Sequence, residues 1–304
     1  MIEMKDALSA ICGPCNVYSD EPMMKHTSFR IGGPADWLIT PESGKALCEA
    51  VKFLKKEGVP YFILGNGSNL LVSDEGYRGV VIHIGKNMGN ITIDGERILA
   101  GAGALLSTVA SKAAAASLTG MEFAGGIPGS IDGACVMNAG AYGGEMKDIL
   151  ISVTALLADG SICRIPAEEL ELGYRTSALM KNGAIVIEAE IGLSEGNIDD
   201  IRSTMDDLKE RRVSKQPLEL PSAGSTFKRP EGYFAGKLIM DSGLRGYAVG
   251  GAQVSEKHCG FVVNRGGATA DDVISLIRYI QRTVQDNYGV QLVPEVRFLG
   301  EFRE

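Results

Sequence analysis

GGIPGSIDGACVMNAGAYGGE, residues 125–145, places seven glycines in 21 residues. Glycine has no Cβ and enters positive φ freely, so such a loop brings bare backbone N–H groups close to an anion. Far upstream, GNGSNLLVSDEG at residues 65–76 has the same character. Two glycine-polar loops so distant in sequence point to one large ligand carrying a diphosphate; the plainer alternative is a pair of tight turns. The dinucleotide fingerprint does not fit, because Leu70 stands where the third glycine of G-x-G-x-x-G belongs. Neither loop reads G-x-x-x-x-G-K-[ST]. A nucleotide therefore requires a different fold.

Outward from these loops the element types alternate. Ser43 caps a helix running through Glu57, with Leu47, Val51 and Leu54 on one face and Gly58 as its stop. Strands YFIL (61–64) and GVVIHI (79–84) flank the upstream loop. ITIDGERILAG (91–101) and VTALLADGSICRI (153–165) each set Asp-Gly between strand-like runs, a two-residue hairpin signal. An alanine-rich helix from about Leu105 to Leu118 leads into the second loop. After the strand AIVIEAEIGL (184–193), the small and acidic SEGNIDD (194–200) reads as a domain boundary. Ile201, Met205 and Leu208 mark the next helix, and GYFAGKLIMDSGL (232–244) holds a short one. Thr269 with Asp272 opens a third, which carries Val273, Ile277, Ile280 and Val284 between strands GFVVN (260–264) and VQLVPEVRF (290–298). The fold class is α+β.

With 304 residues, 45% of them hydrophobic and 22% charged, the chain can bury sizeable cores. A net charge of −8 argues against a general nucleic-acid or anionic-membrane surface, while a local basic pocket for a phosphorylated ligand remains compatible with it. MIEMKDALSA lacks a basic segment followed by an apolar run, and no window approaches 18 uncharged apolar residues, so the expectation is a cytoplasmic protein with no membrane partner. Six cysteines are scattered, apart from CGPC at 12–15. A redox dithiol needs its first Cys at the start of a helix after a core strand; here too little chain precedes it, and the motif reads as a turn closing a short leading helix.

PSAGSTFKRP (221–230) sets Ser225 between glycine and threonine with Lys228 close behind. Locally it fits a nucleophile, a phosphate cradle, a proton donor or a turn. The nucleophile elbow G-x-S-x-G lacks its second glycine here, since Phe227 stands there, and His26, His83 and His258 form no triad order. Without H-x-x-x-H and with a lone C-x-x-C, no zinc site is expected.

TSFRIGG (27–33), LGNGSNLLVSD (64–74), GIPGSIDGACVMNAGAYGGE (126–145), GYRTS (173–177), SAGSTFKRP (222–230), AGKLIMDSGLRG (235–246) and LVPEVRF (292–298) occur in this order. In that set the chain resembles the UDP-N-acetylenolpyruvoylglucosamine reductase (MurB) family from residue 26 onward. Its first half is also similar to the wider vanillyl-alcohol-oxidase (PCMH) type of FAD fold. The resemblance implies FAD-binding lobes over 1–78 and 79–195 and an α+β substrate-binding domain over 196–304, whose last strand returns to the FAD lobes. It implies NADPH as co-substrate, a UDP-sugar as substrate and a monomer without nucleic-acid or metal partners. Arg175, Ser225 and Glu295 match the catalytic positions: Arg175 against charge on the substrate carboxylate, Glu295 protonated or proton-sharing beside it, Ser225 as proton donor to carbon. Cofactor contacts fall on Arg30, Gly65, Asn66, Gly67, Ser68 and Asn69, and on Gly125, Gly126, Ile127, Pro128, Gly129, Ser130, Gly133, Ala134, Asn138 and Ala139. Tyr174, Gln216, Lys228, Lys237 and His258 are the expected substrate contacts. No histidine lies in the loops, so the FAD is expected to be noncovalent. Only 49 residues separate Arg175 from Ser225, which resembles the shorter branch lacking a tyrosine-bearing insertion. Cys135, where a plain aliphatic residue is expected, predicts sensitivity to thiol reagents. Two competing readings are an FAD-dependent oxidase of a small alcohol or hydroxy acid on the same fold, and a nucleotide-binding module without turnover.

Overall fold

In the computed structural model, which describes residues 2–302, the chain falls into two units. The first comprises residues 1–18, 37–66 and 80–212; the second comprises 19–36, 67–79 and 213–304. This division does not follow the consecutive blocks 1–78, 79–195 and 196–304. Strand pairing is the reason: Arg297–Leu299 runs parallel to Leu70–Val72, so an early segment joins the C-terminal unit.

The first unit contains α1 (Ile2–Cys12), α2 (Gly44–Lys56), α3 (Leu106–Ala115), α4 (Ile131–Met137), α5 (Ala178–Asn182) and most of α6 (Ile198–Lys215). Its main sheet is antiparallel, in the order Ile162–Pro166, Leu150–Leu156, Ile185–Gly192, Arg97–Gly101, Ile91–Asp94. Both Asp-Gly signals fall at hairpins, but neither forms the two-residue Asp-Gly turn expected: Asp94 pairs with Arg97 around Gly95-Glu96, and Leu156 opposite Ile162 leaves residues 157–161 between the strands. Ser43 accepts a hydrogen bond from the Ala46 N–H at 3.2 Å and starts α2, whose Leu47, Val51 and Leu54 are buried as the periodicity requires. They share a core with Val153, Val186 and Ile191 from the sheet and with Val109 and Ala113 of α3. Tyr61–Leu64 pairs parallel with residues 80–83 and delivers the chain to Gly65. At the N-terminal end, Cys12 closes α1 and Pro14–Asn16 forms a single tight turn. Burial, assisted by the charges of Glu42 and Glu49, pushes the Cys12 thiol up to about 11, the reverse of what a reactive thiolate needs.

The second unit holds α7 (Ala235–Asp241), α8 (Ala270–Tyr288) and an antiparallel sheet ordered Ala248–Val249, Ala252–Val254, Val262–Asn264. Thr269 and Asp272 form the expected capping box on α8. Asp74, from the upstream loop, adds a second cap by accepting from the Ala270 and Asp271 N–H groups at 2.8 and 3.0 Å. The stripe Val273, Ile277, Ile280 and Val284 is buried against Phe29, Leu71, Phe227 and Leu292. Among the described residues no helix is long and apolar enough to cross a membrane. Ile280 is fully buried, so Ile280→Ala should cost about 2–5 kcal/mol through lost transfer energy and the cavity left behind, read as a lowered midpoint in denaturant unfolding.

Candidate active site

The two glycine loops meet within the first unit. Asn66 Nδ2 donates to the Pro128 carbonyl at 2.8 Å. One residue upstream, a Cβ on Gly65 would stand 2.3 Å from Ser130 Oγ, so only glycine permits this approach. Ser130 is 2% exposed, and its Oγ is buried without a hydrogen-bond partner. A buried hydroxyl left in this way is costly unless something else satisfies it. Asp132, in the first turn of α4, is also near: its Oδ2 is 3.8 Å from the same Gly65 position. Burial pushes its carboxyl up to about 7, against a backbone hydrogen bond with Val186 that lowers it.

On the far side of the second loop, α6 packs directly against its glycines. A Cβ on Gly125 would meet Met205 Cε at 2.9 Å, and one on Gly126 would meet Arg212 Cδ at 3.0 Å and Nη1 at 3.6 Å. Partial burial pulls the Arg212 pKa down, though a guanidinium stays charged, so a half-buried cation stands beside these glycines. Neither Asp132 nor Arg212 belongs to the residues expected at the site. Arg212 continues the stripe Ile201, Met205, Leu208, and a charge on an apolar helical face was the available signal. Asp132 carried a comparable signal, as an acid set between Ile131 and Gly133 in a loop whose one other charge is Glu145 at its end.

Several expected contacts have other work in this structure. Asn138, left-handed at φ 43°, uses its amide to donate to Glu145 Oε2 at 2.6 Å and to the Gly173 carbonyl at 3.1 Å, while its Oδ1 accepts from the Lys147 N–H at 2.9 Å. It thereby anchors the turn that presents Tyr174 and Arg175. Gly173 and Thr176 bond to each other in both directions, which leaves Arg175 at the corner with φ 55°. Non-glycine residues occupy that region only when the surroundings impose it, and such strain clusters at functional sites. The Arg175 guanidinium lies 5.3 Å from the centre of the Tyr174 ring, and its Nη2 donates to the Gly140 carbonyl at 3.5 Å. Cys135 is fully buried, and burial together with Asp132 raises its thiol far above the usual range. The expected sensitivity to thiol reagents is therefore overturned.

The second unit brings Ser225 and Glu295 into adjacent segments. Thr226, between Ser225 and Phe227, donates its N–H to the Gly260 carbonyl at 2.8 Å and accepts from the Glu295 N–H at 2.9 Å, while its Oγ1 accepts from the Val262 N–H at 2.9 Å. Lys228 N–H donates to the Val293 carbonyl at 2.8 Å, extending the ladder. Asn69 Nδ2 donates to the Glu295 carbonyl at 3.1 Å, so this loop residue also supports the glutamate. In the same loop, a Cβ on Gly67, at φ +61°, would collide with the His26 carbonyl at 2.0 Å. Ser68 follows it, and Arg30, exposed and left-handed at φ 56°, belongs to this unit as well. Ser225 Oγ donates to the Phe227 carbonyl at 3.1 Å. Gln216 Oε1 is buried without a partner, whereas Lys237 is held by Asp241 at 2.8 Å in an exposed pair on α7.

A flavin dinucleotide fits this donor set. The orphaned Ser130 hydroxyl, the glycine-only approach at Gly65 and the cation beside Gly126 are the features that a diphosphate-bearing ligand requires. A family model described as FAD binding domain matches residues 35–166, and one described as UDP-N-acetylenolpyruvoylglucosamine reductase, C-terminal domain, matches residues 216–299. The fold and the loops define an α+β flavoprotein of the vanillyl-alcohol-oxidase (PCMH) type with a C-terminal α+β domain. Relatives narrow this further. The chain is 56% identical over 295 residues to the UDP-N-acetylenolpyruvoylglucosamine reductase of Agathobacter rectalis, covering 93% of this chain and 94% of the relative. To the enzyme of the same name in Clostridioides difficile it is 54% identical over 282 residues, covering 93% of each. The crystal structure of the Thermus caldophilus reductase superposes with a TM-score of 0.79 at 38% identity, over 92% of this chain and 97% of that one. A glucose dehydrogenase, Phl p 4.0202, shares the fold alone, with a TM-score of 0.50 at 14% identity over 72% of this chain and 51% of its own. The chain belongs to the UDP-N-acetylenolpyruvoylglucosamine reductase family.

Asp132 yields a test by pH. Its folded-state pKa lies above the unfolded value, so its contribution to stability is fully present below about pH 4 and is lost as pH rises toward about 7. Asp132→Asn should remove this dependence, gaining on the parent by a few kcal/mol, to order of magnitude, between those limits in denaturant titrations. A constant difference across the range would contradict the assignment.

Proposed function

We propose that this chain is an NADPH-dependent flavoenzyme that reduces the enolpyruvyl double bond of UDP-N-acetylglucosamine enolpyruvate, giving UDP-N-acetylmuramate for peptidoglycan synthesis. The observation that carries the reading is Thr226, whose backbone bonds join the Ser225 segment to the Glu295 segment. FAD, when bound, supplies the hydride that it has received from NADPH. Its diphosphate is assigned to the loops at Gly65, Asn66 and Gly125–Ser130, with Arg212 as an added positive charge.

The chain's own residues then have defined tasks. Hydride addition to the terminal CH₂ drives negative charge into the substrate carboxylate. Arg175 is assigned to oppose that charge, because its planar fork matches a carboxylate in a way that lysine cannot. Glu295 is assigned beside the same carboxylate with a shared proton, since two bare carboxylates there would repel. Ser225 is assigned to give its hydroxyl proton to the adjacent carbon. A hydroxyl is a weak acid, but the carbon of an enediolate is basic enough to take its proton. Lys228, on the same strand-like segment, suits the UDP diphosphate, and the unpartnered Gln216 Oε1 suits a donor on the nucleotide or sugar. Lys237 is the weaker candidate, since Asp241 already occupies it.

Under anaerobic conditions NADPH should bleach the flavin absorbance of the holoenzyme, and the enolpyruvyl substrate should restore it. A flavin that stays reduced after substrate addition would defeat the reading. Ser225→Ala should still be reduced by NADPH, with substrate-driven reoxidation slowed by about 10²–10⁴-fold. Arg175→Lys should slow the same step by about 10²-fold or more, since the charge remains but the fork is lost.

A further inference from the structure

His258 has a fixed role in the turn behind Ser225. Its Nδ1 accepts from the Gly260 N–H at 3.1 Å, which leaves the proton of the neutral ring on Nε2. Its own N–H and that of Lys257 both donate to Ser255 Oγ at 3.2 Å, and its carbonyl accepts from the Phe261 N–H at 3.0 Å. The ring meets Phe261 edge-on at 5.1 Å. A Cβ on Gly260 would come within 2.9 Å of His258 Cε1, and one on Gly236 within 3.2 Å of the same atom, so the backbone closes on the imidazole from two elements. The Gly260 carbonyl, in turn, accepts from Thr226, the residue that follows Ser225 and binds Glu295.

We propose that His258 is a positioning residue for proton delivery, its Nδ1 holding the Gly260 turn from which the Ser225–Thr226 segment is hung. This inference rests on Ser225 as the proton donor. It goes beyond the substrate contact expected for His258, because it assigns the inner nitrogen rather than the outer one. Protonation would replace the acceptor at Nδ1 with a second donor facing the Gly260 N–H, and the turn would lose its tie. Burial pulls the His258 pKa below its ordinary value, so the acceptor form prevails at neutral pH. Charged side chains on α7 and next to this turn have partners of their own. Lys237 of α7 pairs with Asp241, Lys257 donates to the Val213 carbonyl and faces Glu219, and Arg245 donates to the Glu256 carbonyl. The neighbouring Cys259 is buried with a raised thiol pKa.

Three substitutions in the holoenzyme separate the nitrogens. His258→Asn sets an amide oxygen where Nδ1 stood, His258→Gln sets its amide near Nε2, and His258→Phe keeps only the bulk. Stopped-flow absorbance would follow flavin reduction by NADPH and reoxidation by the enolpyruvyl substrate separately, across pH. His258→Phe and His258→Gln should slow reoxidation by about tenfold or more, with flavin reduction by NADPH within about twofold of the parent. His258→Asn should recover most of that rate and lose the acid limb that the parent shows where His258 titrates, a position fixed by ¹⁵N NMR of the imidazole. Rescue by Gln but not by Asn would assign Nε2 and overturn the inference, as would unchanged reoxidation in His258→Phe or equal slowing of both half-reactions. Normal turnover in Ser225→Ala would instead remove the proton-donor reading, whatever the His258 variants do.

Discussion

Thr226 is the residue through which the candidate chemistry is organised. Its N–H, carbonyl and hydroxyl reach three separate parts of the chain, at Gly260, Glu295 and Val262. Each bond alone is worth about 1 kcal/mol net, but Thr226 is buried, so a broken one would leave a polar group stranded at greater cost. Ser225 consequently inherits its place from a buried neighbour. The hydroxyl itself stays partly accessible and is only lightly held by the Phe227 carbonyl.

The first unit uses a different physical device. Where Gly65 faces Ser130 and Gly126 faces Arg212, the absence of a Cβ lets polar or charged groups come unusually near the backbone. The result is a loop region with an unsatisfied hydroxyl, a partly desolvated guanidinium and a carboxyl whose ionisation is disfavoured. Each of these is a cost to folding, and an anionic dinucleotide bound as proposed would offset the first two. Arg175, forced into a left-handed corner by Asn138 and the Gly173–Thr176 turn, follows the same logic of local strain retained for position.

Much of this was legible in the sequence, for identifiable reasons. Local rules sufficed for the Ser43 and Thr269 caps, the places of the Asp-Gly hairpins and the buried stripe of α8, since each depends on residues a few positions apart. The two units were not legible as consecutive blocks, because the pairing of Leu70–Val72 with Arg297–Leu299 joins segments with no local signature. The serine, the glutamate and the glycine loops stood out in the sequence, but the motifs could not separate ligand contacts from supports. Asn69, Asp74 and Asn138 lie in the most distinctive stretches, and all three use their side chains to brace backbone. Spacing put Arg212 on the apolar face of α6, but only the fold shows that this face meets the second glycine loop and that Asp132 is buried.

The central claim is that Ser225 delivers a proton to carbon from a position fixed by Thr226. The most direct measurement is a crystal structure of the oxidised holoenzyme with the enolpyruvyl UDP-sugar bound. In that complex Ser225 Oγ should turn from the Phe227 carbonyl to within about 3–3.5 Å of the carbon bearing the carboxylate, with the Thr226 bonds unchanged. A complex in which Ser225 keeps its bond to Phe227 and another acidic group faces that carbon would contradict it.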